Sequence, residues 1–295
     1  MSIRIISIYR QRWLFQEGEI LILKNAIIPS KTKMVAFLIL SARKISILAI
    51  FLWAVMAYDT TFSQATVEND TDSGTHITGG FESDFASKYV WRGLAFSSGA
   101  VTQNSIWISE WGLTGSVWSN YDVGSRVVHP RLNEFDFSLD YESSFHKFDI
   151  QSSLQSYVYP DQADAPSTGE FSINLSYGFP ILQPFTIQTF DLKAYRGAYF
   201  GEFGFKANHD ISEKLSADLT IEMGWGSKKF NQAYIGDVGS AIELASSQGE
   251  LTWSLLKSLY LQPHLGVTTL INRDIRAQVE KATLYQFGAA LGGDF

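Results

Sequence analysis

The last thirteen residues, Thr283 to Phe295, restrict the fold more than any other stretch. Tyr285, Phe287, Ala289, Leu291 and Phe295 share one face at period two, and Gln286, Gly288, Ala290, Gly292 and Asp294 share the other. A strand sends successive side chains to opposite faces, so one face here is greasy and the other small or polar. Chain termini fray unless a closed sheet holds them. A transmembrane β-barrel holds them because closure leaves no edge, and its strands turn apolar residues outward and polar ones inward. The expectation is an all-β, antiparallel, up-and-down transmembrane β-barrel. Phe295 is the expected assembly signal, through which the C-terminal strand meets the barrel-assembly machinery.

The chain has no cysteine, which excludes disulfides, thiolate metal sites and a thiol nucleophile. A mean hydropathy of -0.01 argues against a bundle of membrane helices, yet a two-faced barrel gives the same average. The first 65 residues differ in kind. Arg43 and Lys44 precede an apolar run of 13 residues from Ile45 to Ala57, and Ser63-Gln64-Ala65 offers small residues where a signal peptidase reads. That run is short of the roughly 20 residues a spanning helix needs. Residues 1–65 are therefore expected to be an export signal, cut after Ala65 or after Ala57, with Met34 a candidate start codon. Residues 66–295 remain as the barrel, with 66–75 a polar lead-in. The removed part holds eight basic and three acidic residues, which leaves 15 basic against 27 acidic, a net of -12. Such a surface repels nucleic acid backbones, so no nucleic-acid partner is expected.

Period-two alternation recurs along the chain. Its cleanest instance sets Phe135, Phe137, Leu139 and Tyr141 against Glu134, Asp136, Ser138, Asp140 and Glu142. The first strand is predicted from about Ile77 to Arg92, with Phe81, Phe85, Tyr89 and Trp91 toward lipid. Glu82, Asp84, Lys88 and Arg92 then look inward, because Lys or Arg on the lipid side costs about 2–4 kcal/mol at the midplane. Residues 238–255 change phase, which one long strand with a bulge near Ser246 to Gly249 explains, as do two short strands. Pro263 lies inside the predicted strand 259–271 and requires a bulge in a sheet with no free edge. The strand at 185–192 is weakly patterned. Counting 238–255 once gives about twelve strands, and an even number returns both termini to one side. Connections are mostly short near residues 110, 145, 182, 211 and 257, and longer near 97, 126, 165, 232 and 276. Short ones are expected on the periplasmic side and long ones outside.

Three motifs carry a resemblance. The block Glu82-Ser83-Asp84-Phe85-Ala86-Ser87-Lys88-Tyr89-Val90-Trp91-Arg92-Gly93, then Gly115-Ser116-Val117-Trp118-Ser119-Asn120 and Tyr157-Val158-Tyr159-Pro160, resembles a bacterial outer-membrane family labelled Gcw-chp. The likeness spans most of 77–295. It implies an outer-membrane barrel and supplies no catalytic residues.

Chemistry is sparse by comparison. His76, His129, His146, His209 and His264 fall on five segments at no metal-ligand spacing, so neither a metal nor a cofactor is expected. No Ser-His cluster of the lipase kind is visible. The one Asp-His adjacency of the kind a barrel protease uses, His209-Asp210, falls on the expected periplasmic side. The informative set is inward and charged: Glu82, Asp84, Lys88, Arg92, Glu134, Asp136, Asp140, Glu142, Asp149, Asp218 and Glu222. These residues either brace a watery interior or line a pore whose acidic wall faces basic groups of the first strand and favours cations or zwitterions. Twelve strands enclose a channel narrower than a porin's sixteen. The expected function is a porin-like passive channel for small solutes, or a structural barrel, in the outer membrane and surrounded by its lipid. The rivals are an outer-membrane hydrolase of protease or lipase type and a secreted β-sandwich; aromatics at both strand ends favour the barrel.

Overall fold

A computed structural model describes residues 77–124, 131–160, 162 and 165–295. The export segment 1–65, the lead-in 66–75, His76 and His129 lie outside the described residues. Among the described residues fourteen strands follow in chain order: β1 (Thr78–Ala86), β2 (Val90–Trp91), β3 (Leu94–Ala95), β4 (Val101–Glu110), β5 (Leu113–Asp122), β6 (Arg131–Phe145) and β7 (Phe148–Val158). Then come β8 (Thr168–Tyr177), β9 (Gln183–Asp191), β10 (Tyr199–Ser212), β11 (Leu215–Gly226), β12 (Ala241–Leu256), β13 (Leu259–Leu270) and β14 (Thr283–Asp294). Among the described residues, two short helices, α1 (Lys228–Tyr234) and α2 (Arg273–Arg276), sit in the last two long connections.

Twelve of these strands form one closed antiparallel barrel in which sequence neighbours pair, and β2 and β3 form a separate hairpin. Closure is made by β1 against β14, from Gly80 opposite Asp294 to Ala86 opposite Gly288. Outside, Phe137, Leu139 and Tyr141 on β6, Leu154 on β7, Phe203 on β10 and Phe287 and Leu291 on β14 stand exposed. A soluble sheet does not leave so continuous an apolar belt open to water, whereas a bilayer rewards it. The tight turns at Trp111-Gly112, His146-Lys147 and Lys257-Ser258 share one end with Thr78 and Asp294; the longer connections share the other.

Four local expectations are corrected. The first strand ends at Ala86 rather than Arg92, because the chain then turns into the barrel. Tyr89 and Trp91 pack inside, not on lipid. Lys88 and Arg92 therefore do not belong to the wall of β1. β12 is one strand, but its bulge lies earlier than expected: Gly224 faces Leu244 and Trp225 faces Ile242, leaving Glu243 unmatched. The phase flip follows from that one extra residue. Pro263 keeps its place opposite Ala289 on β14 without a bulge. On its other side the ladder to β12 skips from Glu250↔His264 to Trp253↔Leu261 in constant register, so the missing N–H interrupts pairing without shifting it.

The weak pattern at 185–192 also has a cause. Phe185 faces inward, with the Lys206 ammonium 5.2 Å from its ring, while Thr186 and Gln188 face out. Their polarity is satisfied on the surface itself. Gln188 Nε2 donates to Thr186 Oγ1 (2.6 Å), Thr186 Oγ1 to the Glu202 carbonyl (2.7 Å) and Trp225 Nε1 to the Tyr199 hydroxyl (2.9 Å), which in turn donates to Gln188 Oε1.

Candidate functional site

At the long-loop end the interior is filled, and two bulges build the socket. One is the Glu243 bulge; the other leaves Asn133 unmatched between the pairs Asn120↔Glu134 and Tyr121↔Leu132. A bulge turns two consecutive residues to one face. Here the crowded pairs Asn133-Glu134 and Glu243-Leu244 are all buried. They receive the β2–β3 hairpin.

The hairpin turns on Arg92 (φ 46°) and Gly93 (φ 80°), the left-handed pair of a type I′ turn. Gly93 is required twice over, since a Cβ there would also lie 2.8 Å from Leu270 Cδ2. Arginine is an unusual occupant of such a position. Its side chain explains the choice. Arg92 Nη1 donates to Glu170 Oε1 (2.8 Å) and Nη2 to Glu170 Oε2 (2.9 Å), a bidentate pair joining the hairpin to β8. Tyr157 on β7 donates a further hydrogen bond to Glu170 Oε2 (2.7 Å). The guanidinium lies 4.3 Å from the Trp91 ring, 4.9 Å from Phe200 and 5.5 Å from Phe230. Burial works against that charge, but Glu170 outweighs it and raises the guanidinium above its ordinary range.

Apolar packing seals the rest. Phe200, Phe230, Leu244, Leu270 and Ile275 form a buried cluster against which Trp91, Leu94 and Tyr234 pack. Tyr89 is buried against Val101 and Trp118, and its hydroxyl bonds Glu134. Burial first, then the negative charge of Glu134 and Asp136, pushes the Tyr89 phenol up. On β9, Asp191 accepts from Thr168 Oγ1 (2.5 Å) and from the backbone N–H of Lys193 and Tyr195 (2.9 Å each), which folds the 192–198 connection inward.

Toward the short-turn end the wall becomes polar and open. Asp84 meets His264 Nε2 at 2.9 Å, and Glu82 accepts from the Tyr260 hydroxyl at 2.7 Å. The small residue predicted on the inner face of the final strand has a use here: a Cβ at Gly288 would stand 2.5 Å from His264 Nε2. Asp136, nearer the long-loop end, is buried and accepts from Gln155 (3.1 Å), while in the open part Asp140 accepts from Ser138 (2.6 Å), Asp218 from Asn208 (2.8 Å) and Glu222 from Ser246 (2.8 Å). Glu142 and Asp149 line a recess with Asn174, Gln183 and Lys206. The carboxylates of β1, β6, β7 and β11 are thus distributed round the wall, each held by a neutral neighbour, apart from Asp84 beside His264 and Glu142, for which no such bond is seen among the described residues. The cation expected to face them from the first strand, Arg92, is taken up by Glu170 instead.

Several residues of the site escaped the sequence reading. Glu170, Tyr157, Glu243 and His264 were not singled out as partners, and only Tyr157 carried a signal, as part of the Tyr-Val-Tyr-Pro end of a strand. His209 and Asp210 lie on β10 near the short-turn end, apart from this machinery.

The fold is a closed twelve-strand antiparallel β-barrel. No family model and no curated protein matches the chain. Among solved structures, the NanC porin is similar at 12% identity over 73% of this chain and 98% of that one, with a TM-score of 0.48. The KdgM porin is similar at 8% identity over 74% and 99%, with a TM-score of 0.46. LpxR from Salmonella typhimurium is similar at 8% identity over 72% and 99%, also at 0.46.

Proposed function

We propose that this chain is a gated channel of the bacterial outer membrane, passing small cationic or zwitterionic solutes when the β2–β3 hairpin leaves its socket. The observation that carries the reading is the hairpin itself, an inward-folded element held by one bidentate ion pair, Arg92 to Glu170, across an otherwise polar barrel. A barrel that only braced the envelope has no need of an arginine at a left-handed turn, because an apolar plug of the same shape would close it as well. Below the hairpin, Glu82, Asp84, Asp140, Asp149, Asp218 and Glu222 give the wall an acidic field, which raises the local concentration of cations.

In this reading residues 1–65 export the chain and are cut off, and the final strand with Phe295 delivers it to the assembly machinery. The long connections then face outward and the tight turns face the periplasm. The three motifs that resemble the Gcw-chp family fall on β1 with its hairpin, β5 and the end of β7, all of which border the socket.

The test is single-channel conductance of the purified chain, accepting only material whose gel band shifts on boiling. The intact chain is expected to be mostly closed with rare openings, and a variant lacking residues 88–97 to give steady cation-selective steps. Silence from that variant, still heat-modifiable, would refute the channel.

A further inference from the structure

The long-loop end carries a second feature that the gate does not use. The connection 192–198 presents Lys193 and Arg196, and the connection 227–240 presents Lys228 and Lys229, all exposed. The connection 271–282 adds Arg273, Arg276 and Lys281, also exposed. Against these seven cations the same three connections hold three acidic residues, Asp237, Asp274 and Glu280.

The three connections behave as one platform. Tyr195 and Ala198 from the first, Phe230, Ile235 and Val238 from the second, and Ile275 and Val279 from the third share the same buried cluster. Tyr195 and Tyr234 meet edge to face at 5.1 Å, the Lys229 ammonium donates to the Arg196 carbonyl, and Gln278 packs beside Gly236. Like charges are therefore fixed near one another by packing. Among the described residues none of the seven has a carboxylate within ion-pair distance, in contrast to Arg92 and His264. On a chain whose exported part carries a net charge of -12, a self-paired surface was available and is not what this rim shows. Held, unpaired cations gain most from an external polyanion, and arginine forks fit phosphate oxygens in bidentate fashion.

We propose that this platform binds phosphate groups displayed several to a molecule. The chemistry has two sources, the phosphorylated headgroups of lipids around the barrel rim and soluble polyphosphate chains. The proposal does not rest on the channel reading.

The test uses the full chain in neutral detergent, titrated with inorganic polyphosphate, and in phosphatidylcholine vesicles with or without lipid A. Two variants are compared: R196Q/K228Q/K229Q/R273Q/R276Q on the platform, and K147Q/K214Q/K257Q at the opposite end. All eight side chains are exposed, and the boiling-dependent gel shift checks each fold. Binding is expected to weaken about tenfold or more in the platform variant and with added salt, and to stay unchanged in the opposite-end variant. Affinity for polyphosphate alone assigns a soluble ligand, and retention of lipid A assigns the membrane. Binding lost equally in both variants, or absent for both phosphate sources, would overturn it.

Discussion

Replacing Glu170 by Gln removes the anion that holds the hairpin while keeping the shape of the socket. Both groups of the pair are buried, with the side chains of Arg92 and Glu170 at 10% and 5% exposure. Removing one partner of such a pair costs about 3–5 kcal/mol, because the other charge is left uncompensated. The aromatic rings around Arg92 remain and offset about 1 kcal/mol of that. Every 1.4 kcal/mol is a tenfold change in an equilibrium, so the remaining ~2–4 kcal/mol should raise the ratio of unseated to seated hairpin by about one and a half to three orders of magnitude. The absence of native cysteine makes this measurable with one introduced thiol. Leu94 is partly buried against the cluster, so a thiol there becomes more reactive when the hairpin leaves. In a Leu94→Cys background, labelling by a membrane-impermeant maleimide is expected to speed up about a hundredfold on Glu170→Gln, since its rate tracks the open population when closing is fast. Adding Arg92→Met should bring the rate most of the way back, because the double variant buries no charge. An unchanged labelling rate in Glu170→Gln would refute the latch.

Other consequences are separable. Gly93→Ala puts a methyl against Leu270 and Leu244 at a left-handed backbone position, costing about 1–2 kcal/mol from the backbone alone; openings should become more frequent with the acidic wall and its selectivity intact. Gly288→Val invades the space of the His264 ring, and is expected to break the Asp84 contact at the β1–β14 seam and lower the temperature at which the gel band shifts. Asp136→Asn with Asp140→Asn should reduce cation preference, read as a reversal potential under a salt gradient, without altering the folded fraction. Deleting Phe295 removes its two backbone hydrogen bonds with Gly79 and is expected to lower the yield of folded barrel in cells more than the yield of refolding in detergent.

Strand number and order were legible because a bilayer on one side and water on the other leave a period of two in nearly every strand. Two things hid the gate. Tyr89 and Trp91 continue the outward phase of Phe81 and Phe85, and alternation alone cannot say whether an aromatic meets lipid or a packed interior. The partner of Arg92 lies 78 residues away on another strand, and no local pattern marks Glu170 as that partner. The bulge at Glu243 was misplaced for a related reason. Ala245 to Gly249 are small or polar on both faces, so the phase change shows only where bulky residues resume at Leu251. Pro263 misled in the other direction, since a ladder can lose two pairs without changing register.

The most direct test of the account is to lock the hairpin and ask whether the barrel falls silent. A Cβ built at Gly93 lies 3.6 Å from Leu244 Cβ, inside the disulfide range of about 3.5–4.5 Å, so Gly93→Cys with Leu244→Cys can tether the hairpin reversibly. In a Glu170→Gln background, single-channel recordings are expected to show cation-selective steps under reductant that vanish on oxidation and return on reduction. Steps that persist with the tether formed, or a reduced barrel that never conducts, would contradict it.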